Sequence, residues 1–234
     1  MKVKLIHMTS NPIDVIASAF AITRGLSYDE YHKQYHTLSS KMKLIQNCYE
    51  SGHMSGFEFV DIDFELLSVS RVFEADKIRS RLSSYEVEAG KFTDQRDFES
   101  VIPREYTDEI AQERIAIIRK WNSEDAAKGI DPRNRRYWTH QGLSRRMRVK
   151  TNLRSLIETG YNRLCSTTQW EYREFMALAR DCIASQNSYL ATLLVPKCNK
   201  LGYCPEVWEP CGKFPGKQEV LSAYDTMTKL HPKA

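Results

Sequence analysis

The 234-residue chain contains no apolar run approaching the roughly 20 residues that a membrane-spanning helix needs, and no charged-then-apolar leader at its N-terminus. Those absences lead to the expectation of a cytoplasmic protein with no membrane partner. No internal repeat or low-complexity tract is evident, which excludes a repeat array. The six cysteines, at positions 48, 165, 182, 198, 204 and 211, form no CxxC pair. That argues against a zinc site, and without a secretory signal the thiols are expected to be reduced. An HExxH pattern is also missing. His32 and His36 stand four apart, but no carboxylate follows them at ligand spacing. A solvated helix face is favoured there, and no metal is expected.

What is present suits one globular core. Hydrophobic residues make up 41% of the chain and aromatics 11%, so a single domain over 1–234 is expected, with an irregular tail from about 196 to 234. The net charge of +4 permits anionic ligands without pointing to a nucleic-acid binder. Its distribution is more informative. From Asp131 to Arg154 there are eight Lys or Arg residues (Arg133, Arg135, Arg136, Arg145, Arg146, Arg148, Lys150 and Arg154) against one acid. Such clustering would serve a phosphorylated small molecule or a nucleic-acid backbone.

The hydrophobic pattern sketches the elements. Met1 to His7 reads as a half-buried strand, and Pro12 opens a helix with Ile13, Ile16, Ala17 and Phe20 on one face. Asp29 to Glu50 reads as a second helical region. Gly52 to Glu58 breaks the pattern with two glycines around His53, and these would let the backbone approach a ligand closely. The alternative is a polar turn into a strand. Phe57, Phe59, Ile62, Phe64 and Leu66 alternate as that strand, with a phase slip near Val60 that suggests a bulge. Ser68 or Ser70 starts a helix delivering Arg79 to its C-terminal end. Thr93 to Pro103 reads as a loop, Thr107 to Trp121 as a helix, and Asn122 to Asn134 as a connection. Thr168 and Glu171 form a capping box for a long amphipathic helix that buries Cys182 and runs on to Leu190.

Two segments carry chemistry. Ser70 to Phe92 supplies Arg71, Lys77, Arg79, Arg81 and Lys91 with Ser80, Ser83 and Ser84 among them. Side chains at i and i+2 do not share a helix face, so Arg79 and Arg81 can meet one ligand only where the backbone turns. The segment is a plausible anion cradle or a solvated basic turn. Thr151 to Leu164 reads as a helix burying Leu153, Leu156, Ile157, Tyr161 and Leu164. Arg154 and Glu158, four apart, can meet on one face, whereas Arg154 and Arg163 point roughly opposite ways. If both arginines bind ligand, pockets shared between subunits are the easier arrangement.

Three separated segments, in the right order, resemble the flavin-dependent thymidylate synthases. The Arg-His-Arg signature appears as Arg79-Ser80-Arg81, Ser84, Ala89 and Lys91, preceded by Ser70-Arg71. The Gly-His-x-Ser-x-x-Glu turn appears as Gly52, His53, Ser55 and Glu58. The downstream helix appears as Asn152, Arg154, Ser155 and Arg163, followed by Gln169-Trp170-Glu171, and the tail Gly202-Tyr203-Cys204-Pro205-Glu206 looks similar too. The resemblance implies an α+β fold, a mixed sheet flanked by helices plus a helical part, in a homotetramer with FAD at subunit interfaces. It places His53, Ser55, Glu58, Arg79, Ser80, Arg81, Asn152, Arg154 and Glu158 at flavin-contacting positions. Asp76, Arg79, Val87, Ala89, Gly90, Lys91, Arg136 and Arg163 fall where the nucleotide binds.

The implied reaction is reductive methylation of dUMP at C5, with methylenetetrahydrofolate as carbon donor and NADPH as reductant. Arg163 is the residue expected to polarise the uracil carbonyl. Several signature positions depart from the family: Ser80 stands for its histidine, Ala89 for a serine, Lys91 for an arginine, Asp76 for a glutamine and Glu158 for an asparagine. Lys91 keeps the charge without the bidentate fork, and Asp76 adds negative charge near an expected phosphate. These changes cluster on the nucleotide side, so UMP, dCMP or a hydroxymethyl product is the alternative within the class. A catalytically dead flavoprotein and a basic nucleic-acid-binding protein are the non-enzymatic alternatives.

Overall fold

The computed structural model describes residues 1–90 and 98–222, and its packing divides the chain into two compact units. The first joins Met1–Pro12 to Val60–Asn152, and the second joins Ile13–Phe59 to Leu153–Ala234. In chain order the elements begin with β1 (Lys2–Met8), α1 (Pro12–Ile22), α2 (Tyr28–Gln34), α3 (Leu38–Glu50), a 3-10 turn (Ser55–Phe59) and β2 (Asp61–Val69). They continue with α4 (Arg71–Lys77), β3 (Ser83–Val87), α5 (Asp108–Ala127), α6 (Pro132–Arg135), a second 3-10 turn (Arg136–Trp138) and β4 (Arg145–Asn152). The remainder is α7 (Leu153–Arg163), α8 (Trp170–Gln186), α9 (Ser188–Thr192) and α10 (Lys197–Leu201).

The first unit is built on a four-stranded sheet in the order β1-β2-β4-β3. Every pairing between these strands is antiparallel, which corrects the expected mixed sheet. Alternation explains β4: Arg145, Met147, Val149 and Thr151 are buried, while Arg146, Arg148 and Lys150 are exposed. Acids on β2 answer the outward cations. Arg148 donates to Asp63 through both Nε and Nη2, at 2.8 and 2.7 Å, and Lys150 lies 2.9 Å from Asp61. Away from the sheet, Phe98, Ile115 and Leu143 form a small cluster with Ile102 and Ile118 beneath α5.

The second unit is helical. Ile16, Phe20, Tyr31, Leu44, Ile45, Phe57, Leu156, Ile157, Tyr172, Phe175 and Ile183 are at most 2% exposed and form its core. Phe20 and Phe57 meet edge to face at 5.6 Å. Asp14 accepts a hydrogen bond from the buried Tyr31 hydroxyl at 2.8 Å and pairs with Lys41, tying α1 to α2 and α3. Among the described residues no helix is long and apolar enough to cross a membrane.

Several boundaries differ from expectation. The helical region from Asp29 to Glu50 is two helices, because Thr37 caps α3 by accepting from the Ser40 amide. His36 therefore lies outside both helices, and His32 meets Tyr28 and Tyr31 edge to face. No bulge occurs at Val60: Phe57 and Phe59 belong to the 3-10 turn, and β2 starts after it. The register irregularities fall instead between Leu5 and His7 and between Leu66 and Val69. α5 runs six residues beyond Trp121, into the expected connection. β3 and β4 occupy stretches not read as strands. Gln169, not Thr168, caps α8, and Leu190 belongs to α9. Cys182 is only partly buried, whereas Cys48 and Cys204 are buried, and none of the six cysteines forms a disulfide.

Candidate active site

In the second unit, the site residues begin with the turn after α3. Gly52 takes φ +79°, and the His53 amide donates to the Cys48 carbonyl at 2.8 Å, closing the helix. This exposes His53, Ser55 and Glu58 in a row. Gly56 serves packing: a Cβ there would lie 2.7 Å from the Phe20 ring. The close approach expected for a ligand is, at this glycine, an approach to the protein's own core.

α7 brings the other partners. Its first turn carries Arg154, whose Nε donates to Glu158 at 2.8 Å and whose Nη1 donates to Glu58 at 2.6 Å. The pairing expected from the four-residue spacing is present, and the Gly52–Glu58 turn is tied to it. The hydrogen bond to Glu158, then that to Glu58, holds the Arg154 guanidinium more firmly protonated. Arg163, at the other end of α7, lies 4.6 Å from the Tyr172 ring centroid and takes no part in this network. Asn152 is the last residue of β4, opposite Asp61.

In the first unit, Ser70 accepts from the Phe73 amide and caps α4. The helix ends at Lys77, so Arg79, Ser80 and Arg81 emerge on the following turn. Arg79 and Arg81 are exposed, and the Tyr85 hydroxyl donates to the Ser80 carbonyl at 2.8 Å, bracing the turn. Asp76 lies 3.6 Å from Arg79. Its negative charge, expected near a phosphate, has this guanidinium as a neighbour. Val87 ends β3 opposite Met147, and Ala89 and Gly90 follow. Lys91 and the start of the Thr93–Pro103 loop lie outside the described residues.

Arg136 occupies a cleft of about 440 Å³ lined by Arg71, Arg136, Tyr137, Thr139, Gln141 and Arg145. Arg71 was expected in the anion cradle and Arg145 in the basic run, whereas Tyr137, Thr139 and Gln141 were not singled out in the sequence. The signal for Arg145 was available: alternation along Arg145–Thr151 puts it on the buried face of a strand, where an arginine is rare. The basic run itself is largely neutralised. Among the described residues, five of its eight cations pair with acids: Arg133 with Asp131, Arg145 with Glu74, Arg148 with Asp63, Lys150 with Asp61, and Arg154 with Glu58 and Glu158. Among the described residues no group of three or more His, Cys, Asp or Glu is disposed to hold a metal ion.

Comparison with known proteins gives a consistent picture. The family model described as thymidylate synthase complementing protein matches residues 4–186. A flavin-dependent thymidylate synthase of Nitratidesulfovibrio vulgaris is 23% identical over 244 residues, covering 94% of this chain and 97% of its own. The enzyme of the same name from Clostridium tetani is 26% identical, covering 91% and 94% of the two chains. The crystal structure of the Helicobacter pylori flavin-dependent thymidylate synthase complexed with FAD and dUMP superposes with a TM-score of 0.68 at 18% identity. It covers 83% of this chain and all of the other, so the fold is shared.

Proposed function

Because the chain belongs to the thymidylate synthase complementing protein family, we propose that it is an FAD-dependent enzyme that methylates dUMP reductively at C5 to give dTMP. Methylenetetrahydrofolate supplies the carbon and NADPH the reducing equivalents, and the working assembly is a homotetramer with pockets shared between subunits. The observation that carries the reading is the extent of the family match, which runs from residue 4 to 186 and spans every segment with site residues.

The donor set fits FAD. Exposed guanidinium forks at Arg79 and Arg81 suit a pyrophosphate, and Ser80 adds a hydroxyl. The exposed His53, Ser55 and Glu58, with Asn152, Arg154 and Glu158, offer the mixed donors and acceptors that a flavin ring edge and ribityl chain require. When bound, FAD supplies hydride-carrying capacity that no side chain has. The protein's own residues bind and orient. Glu58 and Glu158 hold Arg154 in one direction, which limits the entropy lost when it meets a ligand. We assign the nucleotide to Asp76, Arg79, Val87, Ala89, Gly90, Lys91, Arg136 and Arg163, and charge stabilisation on the pyrimidine carbonyl to Arg163. Its position over the Tyr172 ring limits where the Arg163 guanidinium can go.

The test is direct. Purified protein, loaded with FAD, should show an oxidised-flavin absorption band and convert dUMP to dTMP only when methylenetetrahydrofolate and NADPH are both present. Parallel assays with UMP and dCMP, scored by product mass, check the base, the sugar and methyl against hydroxymethyl. A protein that cannot be reconstituted with flavin sinks the reading.

A further inference from the structure

The cleft of the first unit contains more cationic machinery than the signature residues account for. Among the described residues its charged lining consists of Arg71, Arg136 and Arg145. Arg145 is an unusual member of that set, because its side chain is only 8% exposed. Its Nη1 donates to the Glu88 carbonyl at 3.1 Å, and its Nε, 3.9 Å from the Glu74 carboxylate, has no hydrogen-bond partner. Glu74 Oε2 is likewise without one. A buried guanidinium whose charge is incompletely matched is costly unless an anion in the cleft that Arg145 lines offsets it. The Glu74 carboxylate is close enough to offset part of the charge but too far to satisfy the donor.

We propose that Arg145 is a phosphate-binding residue of this chain, acting with Arg71 and Arg136 on the nucleoside monophosphate and tempered by Glu74. The inference rests on the nucleotide reading above. Among the described residues, three guanidiniums against one carboxylate leave an excess of positive charge that suits a phosphate monoester, near two negative charges at neutral pH, and gives a neutral nucleoside nothing. Tyr137, Thr139 and Gln141 add side-chain donors to the same wall.

Calorimetric titration of the FAD-loaded protein with dUMP, deoxyuridine and inorganic phosphate separates the parts. Arg145→Gln should weaken dUMP binding about tenfold or more while leaving deoxyuridine affinity unchanged, and Arg145→Lys should recover part of the loss. Because Arg145 is buried, Glu74→Gln provides an independent arm: it removes the tempering carboxylate and should tighten dUMP and inorganic phosphate several-fold, again without moving deoxyuridine. The proposal is overturned if Arg145→Gln binds dUMP within about twofold of the parent, if dUMP and deoxyuridine weaken equally, or if Glu74→Gln leaves phosphate affinity where it was. Arg145-dependent binding of UMP or dCMP with none of dUMP would keep the phosphate role and reject the dUMP reading. A protein that binds no nucleotide and no phosphate rejects both.

Discussion

A single methyl group distinguishes the two glycines of the turn after α3. At Gly56 it would collide with the Phe20 ring at 2.7 Å, whereas at Gly52 it meets nothing, although φ of +79° disfavours it. Gly56→Ala should therefore cost about 1–3 kcal/mol through overpacking, and Phe20→Leu in the same chain should return part of it. Gly52→Ala should cost about 1 kcal/mol, with no rescue by Phe20→Leu. Thermal melts of the single and double variants check both. Asp14 gives a pH-dependent counterpart. Burial pushes its carboxyl up, but hydrogen bonds from Lys41 and Tyr31 outweigh that and hold it below its ordinary value. A group depressed in the folded state stabilises above its unfolded pKa, and the contribution fades as pH falls through the folded one. Asp14→Asn should thus lower the urea midpoint near neutral pH, and the gap should narrow as the pH falls below the ordinary carboxyl value of 3.8. A constant gap across that range would rule out the linkage.

At the scale of elements, what was legible in the sequence followed local signals. Ser70 as the cap of α4, the opening of α1 at Pro12, and the Arg154–Glu158 pair on α7 are each fixed by neighbours within a turn of helix. Ser70→Ala should accordingly cost about 1 kcal/mol in a denaturant titration. Ser70→Asp, which restores an acceptor for the Phe73 amide, should keep most of the stability. What was illegible depended on distant partners. The outward face of β4 reads as a basic run because Asp61 and Asp63, which neutralise Lys150 and Arg148, arrive from β2, more than 80 residues earlier. Without those acids in view, the run suggested a phosphorylated small molecule or a nucleic-acid backbone, and its strand period was hidden under charge. β3 is a five-residue strand whose hydroxyl contact, Ser83 to Thr151 at 3.0 Å, is equally remote in sequence. The Arg145 cleft was missed for the same reason: its walls come from α4, the second 3-10 turn and β4, which only the fold brings together.

For the whole molecule, the question is whether Arg154 serves the fold or the flavin, and the structure lets the two be measured apart. Arg154 and its partners Glu58 and Glu158 are each at least a third exposed. Exposed ion pairs contribute about 0–1 kcal/mol, because water and salt screen them and the long side chains lose entropy on pairing. A purely structural Arg154 would therefore be nearly dispensable to both stability and cofactor. As a flavin contact it would be dispensable only to stability. Arg154→Ala should leave the melting temperature within a few degrees of the parent, yet emerge from gel filtration depleted of FAD by its absorption band. Arg154→Lys should keep the charge and regain little flavin, because an ammonium cannot reproduce the fork that donates to two groups at once. Equal flavin content in all three proteins would remove Arg154 from the site and, with it, the second unit's strongest claim on the cofactor. The nucleic-acid alternative predicts a different dependence. With five of the eight cations from Arg133 to Arg154 already paired inside the molecule, any duplex binding should be weak. Its log-log salt slope should fall well short of eight phosphate contacts. A slope near that limit would mean that the ion pairs open on a polyanion, and would turn the basic run back into a binding surface.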